Sequence, residues 1–143
     1  MTFAQKRLNV IIAEFIGWKF CPPSQYEAPH SLNYKIEASS CWSRPGNEVW
    51  QLEQIPNYID GEESLYNCRE MEKVFVDDTN ALQLNYYENW LAHFCNLQNV
   101  IKQRKPILHA FSWHASALVR AISFALAFDL ITQDDIKELL TNP

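Results

Sequence analysis

Two carboxylates, an arginine and a histidine are the residues whose types could bind a ligand or transfer protons. Glu70 and Glu72 lie two positions apart in a predicted helix, so they face different directions. Such a pair can act as acid and base only if its surroundings drive the two pKa values apart, and the sequence gives no sign of that. Arg120 lies in a predicted helix of small residues, and we expect it to reach Glu70 or Glu72 as a bidentate ion pair. Glu70, Glu72, Arg120 and His114 are therefore the candidate ligand-binding residues, with solvation and ion pairing as the simpler alternative.

Other catalytic and metal-binding patterns are weak. His93 and Cys95 are two apart in a predicted helix, and His109 and His114 are five apart across a predicted strand-to-helix junction, whereas a zinc site needs three or four converging ligands. The sequence has no G-x-S-x-G motif, and three glycines are too few for a phosphate-binding loop. Cys68 falls on the apolar face of a predicted helix, where a buried thiol is inert. We predict no catalytic residue, no metal and no cofactor.

Aromatic residues are the remaining candidates for binding. The chain has five tryptophans, and Trp42 and Trp50 flank a predicted turn at residues 44–47. Exposed tryptophan and tyrosine often anchor protein interfaces, so Trp42, Trp50 and Tyr58 form the predicted interface. Burial in the core is the alternative, because large aromatic side chains contribute so much apolar surface.

The composition is that of a folded domain. The 143 residues are 48% hydrophobic and 13% aromatic, enough for a well-packed core without disulfides. Four irregularly spaced cysteines, no signal-peptide pattern and no apolar segment of bilayer-spanning length predict a soluble, cytoplasmic protein with reduced thiols. The net charge is −5, and the ten acidic residues between positions 48 and 88 are accompanied only by Arg69 and Lys73. This surface would repel nucleic acid, so we expect neither a nucleic-acid nor a membrane partner.

The apolar periodicity predicts the helices that would position these residues. A central helix follows the turn at residues 56–63, and acidic residues at its start suit the positive end of its dipole. Its predicted inward stripe is Leu65, Cys68, Met71, Phe75 and Val76. Further helices are predicted at 3–15, ending at Gly17, at 80–97, at 115–128, and at 133–140 with a Thr132–Asp135 capping box. The predicted inward line of the helix at 80–97 is Leu82, Tyr86, Trp90 and Phe94, with Tyr87 and Leu91 beside it.

Short extended segments complete the prediction. Alternating residues at 34–38 and 48–53, joined by the turn at 44–47, predict a β-hairpin, and residues 107–111 predict another strand. We find no repeat and no linker, so residues 1–143 are predicted to form one domain. The fold class is α+β, with a small, mainly antiparallel sheet of three or four strands covered by helices.

Three motifs in order resemble the phage ABA sandwich family. They are I-I-A-E-F-I-G-W-K at 11–19, P-x-Y with S-L-x-N-C-x-E-M-E-K at 56–73, and H-A-S-A-x-x-R-A at 114–121. The matching positions are Pro56, Tyr58, Leu65, Glu70, Glu72, Ala115, Ala117, Arg120 and Ala121. Ser64, Tyr66 and Arg69 replace the family's Asp, Asn and His, and the loss of Asp and His argues against catalysis there.

The resemblance implies an α-β-α sandwich but no established activity. It also implies a phage- or prophage-type protein in a bacterial cytoplasm. We therefore predict a non-enzymatic binding module whose partner is a host or phage protein, or a second copy of the chain in a homodimer. The alternative is a small-ligand-binding protein or hydrolase with a carboxylate and arginine cleft between the central helix and the sheet, and a purely structural role is a third reading.

Overall fold

The computed structural model describes residues 1–22, 32–48, 51–95 and 115–141. Its elements in chain order are α1 (Phe3–Ile16), β1 (Lys19–Phe20), α2 (Leu32–Glu37), β2 (Trp42–Ser43), β3 (Leu52–Glu53), α3 (Ser64–Glu72), α4 (Ala81–Cys95), α5 (Ala117–Ala127) and α6 (Ile136–Leu139). Short 3₁₀ segments lie at Lys73–Val76, Asp78–Asn80 and Gln133–Asp135. The predicted strand at 107–111, together with Trp50 and His114, lies outside the described residues.

The sheet is small and antiparallel, with the strand order β1-β2-β3. Phe20 pairs with Trp42, and Trp42 pairs with Glu53. The turn predicted between the hairpin strands is present, because the Asn47 amide donates to the Arg44 carbonyl at 3.0 Å. The α+β class with a small antiparallel sheet is therefore confirmed.

The first hairpin strand was predicted at the wrong place. Residues 34–38 belong to helix α2 and its end, and the strand is instead β2 at 42–43. Tyr34 and Ala38 are four apart and both buried, so they fit one helix face as well as they fit alternation. Helix α2 packs on α1 and holds Tyr34 edge-on against Phe20 of β1, with 5.1 Å between the ring centres.

Helix α1 forms where its caps and its apolar stripe predict it. Thr2 and Gln5 form a capping box at the start. Leu8 and Ile12 lie four apart and are buried in the core. Gly17 ends the helix with φ +120°, a backbone conformation that is unfavourable for residues with a Cβ atom. The expected stop at Gly17 is confirmed.

The most extensive helix contact among the described residues joins α4 and α5. On α5, Ala121 and Ala125 are fully buried, and such small residues allow close approach. On α4 the buried residues are Tyr87, Leu91 and Ala92. The predicted inward line of α4 is thus wrong at Leu82 and Tyr86, both exposed, because α5 packs on the neighbouring line.

Helix α3 buries Cys68 and Met71 as predicted. Its predicted stripe is wrong at Leu65 and Val76, which are 44% and 83% exposed. The α-helix ends at Glu72 and the chain continues as a tighter 3₁₀ turn, which rotates later residues off the α-helical face. The predicted C-terminal helix is present as a 3₁₀ turn followed by α6, with the Thr132–Asp135 capping box.

Candidate functional site

The predicted arginine–carboxylate pair exists, and it is buried. Arg120 of α5 is 0% exposed, and its Nη1 lies 3.4 Å from Oε1 of Glu72 on α3. The Tyr87 hydroxyl of α4 donates to the same oxygen at 3.1 Å. The expected ion pair of Arg120 is therefore confirmed for Glu72 through one Nη1–Oε1 contact, whereas the expected bidentate geometry is not shown by the contacts of the described residues. The cluster joins three helices inside the core.

Cys68 lies beside this cluster and is chemically quiet. Its Sγ lies 3.2 Å from the Tyr58 carbonyl oxygen and 3.6 Å from the Ala117 carbonyl oxygen, so its single S–H can donate to either. Burial, and then the negative charge of Glu72, raises the pKa of the Cys68 thiol to about 12. The thiolate that a nucleophile or a metal ligand requires is thus disfavoured.

Glu70 faces away from this cluster, as its spacing from Glu72 predicts. It is exposed and accepts a hydrogen bond from Lys73 at 2.8 Å. The candidate ligand-binding set is therefore divided: Glu72 and Arg120 lie in the core, Glu70 lies on the surface, and His114 lies outside the described residues. The ligand-binding role of these residues stays a prediction.

The predicted aromatic interface is wrong at the two residues that the structure describes. Trp42 is 0% exposed and Tyr58 is 2% exposed. Trp42 belongs to the hydrophobic core, and its ring packs on Phe20 with 5.1 Å between the ring centres. The Tyr58 side chain belongs to the hydrophobic core. Burial of apolar area decides the position of both rings.

A groove of about 830 Å³ lies between α3 and the sheet, where the alternative prediction placed a cleft. Helix α3 and its first turn supply one wall through Glu63, Tyr66, Asn67 and Glu70, which follow each other at helical spacing. The opposite face of α3 carries Cys68, which is buried in the core. One face of this short helix thus packs, and the other lines the groove.

Arg44 and Trp18 form the opposite wall. The Arg44 guanidinium lies 5.4 Å from the centre of the Trp18 ring, within the range of a cation–π contact. Its Nε donates to Glu53 Oε1 at 3.0 Å, and its Nη2 donates to the same oxygen. The hydrogen bond from Arg44 to Glu53 raises the pKa of the guanidinium, so its charge is permanent. The hairpin therefore presents a fixed ion pair to the groove.

Asn57 fixes the floor of the groove. Its Oδ1 accepts hydrogen bonds from the Ile59 and Asp60 amides at 3.0 and 3.2 Å, and its Nδ2 donates to the Asp60 carboxylate at 2.8 Å. Its carbonyl accepts from Asn67 of α3 at 3.0 Å, and Asn9 of α1 donates to its Oδ1 at 3.3 Å. The side chain of Asn57 thus ties α1 to the turn, and its backbone carbonyl ties the turn to α3.

Asn57, Arg44 and Glu53 line the groove but were not predicted to do so from the sequence. The Asn57 signal was present, since an asparagine that accepts from the amide two residues later forms a recognised turn. The pairing of Arg44 with Glu53 follows from the hairpin register, which residue types alone do not give.

The groove is strongly acidic. Among the described residues that line it, five carry carboxylates and only Arg44 carries a positive charge. The carboxylates belong to Glu53, Asp60, Glu62, Glu63 and Glu70. Arg44 is paired with Glu53, Lys73 with Glu70, and the N-terminal ammonium of Met1 with Asp60 at 3.8 Å. Among the described residues, the negative charge that no ion pair matches therefore belongs to Glu62 and Glu63. This arrangement attracts cations and repels anions.

Within residues 1–22, 32–48, 51–95 and 115–141, no group of three or more His, Cys, Asp or Glu side chains is placed to bind a metal ion. Each helix in the same ranges is too short or too polar to span a lipid bilayer.

Comparison of the chain with protein-family models, with curated proteins and with solved structures gave no match. The resemblance to the phage ABA sandwich family therefore stays a prediction.

Proposed function

We propose that this chain is a non-enzymatic binding module whose groove between α3 and the sheet receives a positively charged segment of a partner protein. One observation carries the proposal: a groove of about 830 Å³ that is lined by five carboxylates against a single, already paired arginine. Glu62 and Glu63 are exposed at its rim, where they can meet a partner without a change of fold.

The chemistry of the groove favours a lysine- or arginine-rich segment over a small cation. An exposed ion pair contributes only about 0 to 1 kcal/mol. A single ammonium group would therefore be held weakly, whereas several cations on one chain can engage several of the carboxylates together. The exposed Tyr66 ring adds a surface on which a guanidinium can stack.

The alternative of a small-ligand-binding protein or hydrolase has less support. It requires Glu70, Glu72 and Arg120 in one cleft, and only Glu70 lines the groove. Glu72 and Arg120 are instead packed against each other in the core. The raised pKa of Cys68 also argues against a thiol nucleophile beside them.

The identity of the partner is a further part of the proposal. The resemblance to the phage ABA sandwich family supports a host or phage protein, met in a bacterial cytoplasm. A homodimer closed across two acidic grooves would bring like charges together, so we favour a different protein as the occupant. For the same reason we expect no nucleic acid there.

The test is a binding titration of the full chain with a fluorescein-labelled octa-lysine peptide, followed by fluorescence anisotropy. We expect binding that weakens with added salt, since exposed charges are screened. The variant Glu62→Lys/Glu63→Lys should weaken binding by roughly tenfold or more, because it turns two attractive charges into repulsive ones. A labelled octa-glutamate peptide should not bind.

The matched control is Asp134→Lys/Glu138→Lys. Both carboxylates are exposed and neither lines the groove, so this variant changes the net charge equally at another place. It should alter octa-lysine affinity by less than about twofold at physiological salt. An equal loss in both variants would mean that net charge alone attracts the peptide, and the groove would then not be the site.

A further inference from the structure

A second cavity lies between α1, α2 and residues 54–57, with a volume of about 300 Å³. Lys6, Asn9 and Val10 line it from α1, where steps of three and four place them on one face. Lys35 and Ile36 line it from α2. A cavity of this size is at the lower end of the range for small-molecule sites.

The cavity combines an apolar floor with two ammonium groups. Val10, Ile36 and Ile55 contribute the apolar surface. The charged side chains among its described lining residues are Lys6 and Lys35, both positive, in a chain whose net charge is −5. The local charge is thus opposite to that of the whole protein and of the groove beside α3.

Lys35 is held at the edge of the cavity by Glu14. Its Nζ donates to Glu14 Oε1 at 2.9 Å, and its side chain is 23% exposed. An ammonium group has three donors, so Lys35 can bond Glu14 and a ligand oxygen together. Met1 also lines the cavity, and its N-terminal ammonium lies 3.8 Å from the Asp60 carboxylate. With Glu14 balancing Lys35 and Asp60 balancing the N-terminus, Lys6 leaves about one positive charge to be matched, which suits a monoanion better than a dianion.

We propose that this cavity binds a small organic carboxylate with an apolar body, its carboxylate between Lys6 and Lys35 and its apolar body on Val10, Ile36 and Ile55. An inorganic anion would leave the apolar floor uncovered. A neutral apolar molecule would cover the floor but would displace water from the ammonium groups without replacing its hydrogen bonds. This site shares residues 54–57 with the groove of the proposed function but takes a ligand of the opposite charge.

The probe is phenylacetate, added to the full chain with ¹³C-labelled Ile and Val methyl groups and followed by NMR. The Ile36, Ile55 and Val10 methyl signals should shift in a saturable way at roughly millimolar ligand, the range expected for a ligand of this size. The neutral isostere phenylacetamide should bind at least about fivefold more weakly, because it lacks the charge that the lysines recognise. Equal binding of the two compounds, or no shift at these methyl groups, would overturn the proposal.

Two variants locate the site: Lys6→Gln is the test and Arg7→Gln is its control. Lys6→Gln removes the ammonium group but keeps most of the stem, and it should weaken phenylacetate binding by roughly fivefold. Arg7→Gln removes a charge from the next residue, which lines a different hollow with Leu130 and Asp135. It should leave the affinity within about twofold. Equal losses in both variants would overturn the assignment, and circular dichroism confirms that each variant is folded.

Discussion

At the residue scale, the protein buries an ion pair in its core. Arg120 is fully buried and Glu72 is 9% exposed. Tyr87 donates a hydrogen bond to the same Glu72 oxygen that Arg120 contacts. Moving two charges out of water costs several kcal/mol each, and good geometry and added hydrogen bonds must offset that cost. The pair therefore acts more as a constraint on how α3, α4 and α5 meet than as a large source of stability.

Removing one partner should expose that constraint. Arg120→Met takes away the guanidinium that pairs with Glu72, and we expect it to lower the free energy of unfolding by about 3 kcal/mol or more. Tyr87→Phe keeps the packed ring and removes one hydrogen bond to a charged group, so we expect a loss of about 1.5 kcal/mol. Urea denaturation followed by far-UV circular dichroism measures both.

The exposed pair of Glu70 on α3 and Lys73 at the start of the following 3₁₀ segment is the control. Lys73→Met breaks the contact with Glu70, and because both side chains are largely exposed the loss should stay under about 1 kcal/mol. The double variant Glu72→Leu/Arg120→Met should recover part of the loss of Arg120→Met, because no charge is left buried. If Arg120→Met is no more destabilising than Lys73→Met, the pair does not constrain the core.

At the element scale, the predictions that succeeded were those fixed locally. Helix α1 has its capping box at Thr2 and its stop at Gly17, and α6 follows the capping box at Thr132. Helix α2 was predicted as a strand because a short apolar run fits both periods and only packing on α1 decides between them. The buried side of α4 is likewise set by α5, which a single segment does not reveal.

The candidate site was predictable in part for the same reason. The cleft beside α3 follows from a helix that has one apolar and one acidic face. The identity of the other lining residues does not follow from that helix. Arg44 is placed there by the hairpin register, and Asn57 by a turn that is hydrogen-bonded to α1 and α3. Trp42 was wrongly predicted to be exposed because its burial depends on which face of the sheet packs on the core, and the sequence of the hairpin alone does not show this.

The Asn57 side chain should be required for the stability of the turn at residues 57–60. Asn57→Ala removes the side-chain bonds to the Ile59 and Asp60 amides and to Asn9, and it should destabilise the fold by about 2 to 3 kcal/mol. It should also weaken octa-lysine binding, because Asp60 is then no longer fixed at the groove. Asn47→Ala, in an exposed turn, should change neither quantity by much. Urea denaturation and anisotropy report the two effects, and unchanged stability would show that the turn does not need this amide.

At the scale of the whole molecule, a net charge of −5 conceals two opposite local charges. The acidic groove was visible in the sequence, because its carboxylates lie close together between residues 53 and 70. The positive cavity was not visible, because Lys6 and Lys35 are distant in sequence and meet only when α2 packs on α1. Residues 54–57 line both spaces, so the two sites share one segment.

The core of the whole molecule should also make its stability fall at alkaline pH. Burial raises the pKa of Cys68 from 9.0 to about 12, and it raises the pKa values of Tyr58 and Tyr87 as well. A raised pKa in the folded state means that the unfolded chain loses its proton first as the pH rises. The stabilising contribution of Cys68 is therefore complete below about pH 9 and is lost as the pH rises toward about 12.

Urea denaturation at steps from about pH 7 to about pH 10.5 should show a level profile that declines above about pH 9. Cys68→Ala should be less stable at neutral pH, because it loses buried contacts, yet its decline between about pH 9 and 10 should be shallower, since the thiol no longer titrates. The tyrosines keep a decline above about pH 10 in both proteins. Parallel profiles for the two proteins, or a level profile throughout, would contradict this prediction. The pKa of Cys68 would then be no higher in the folded chain than in the unfolded one.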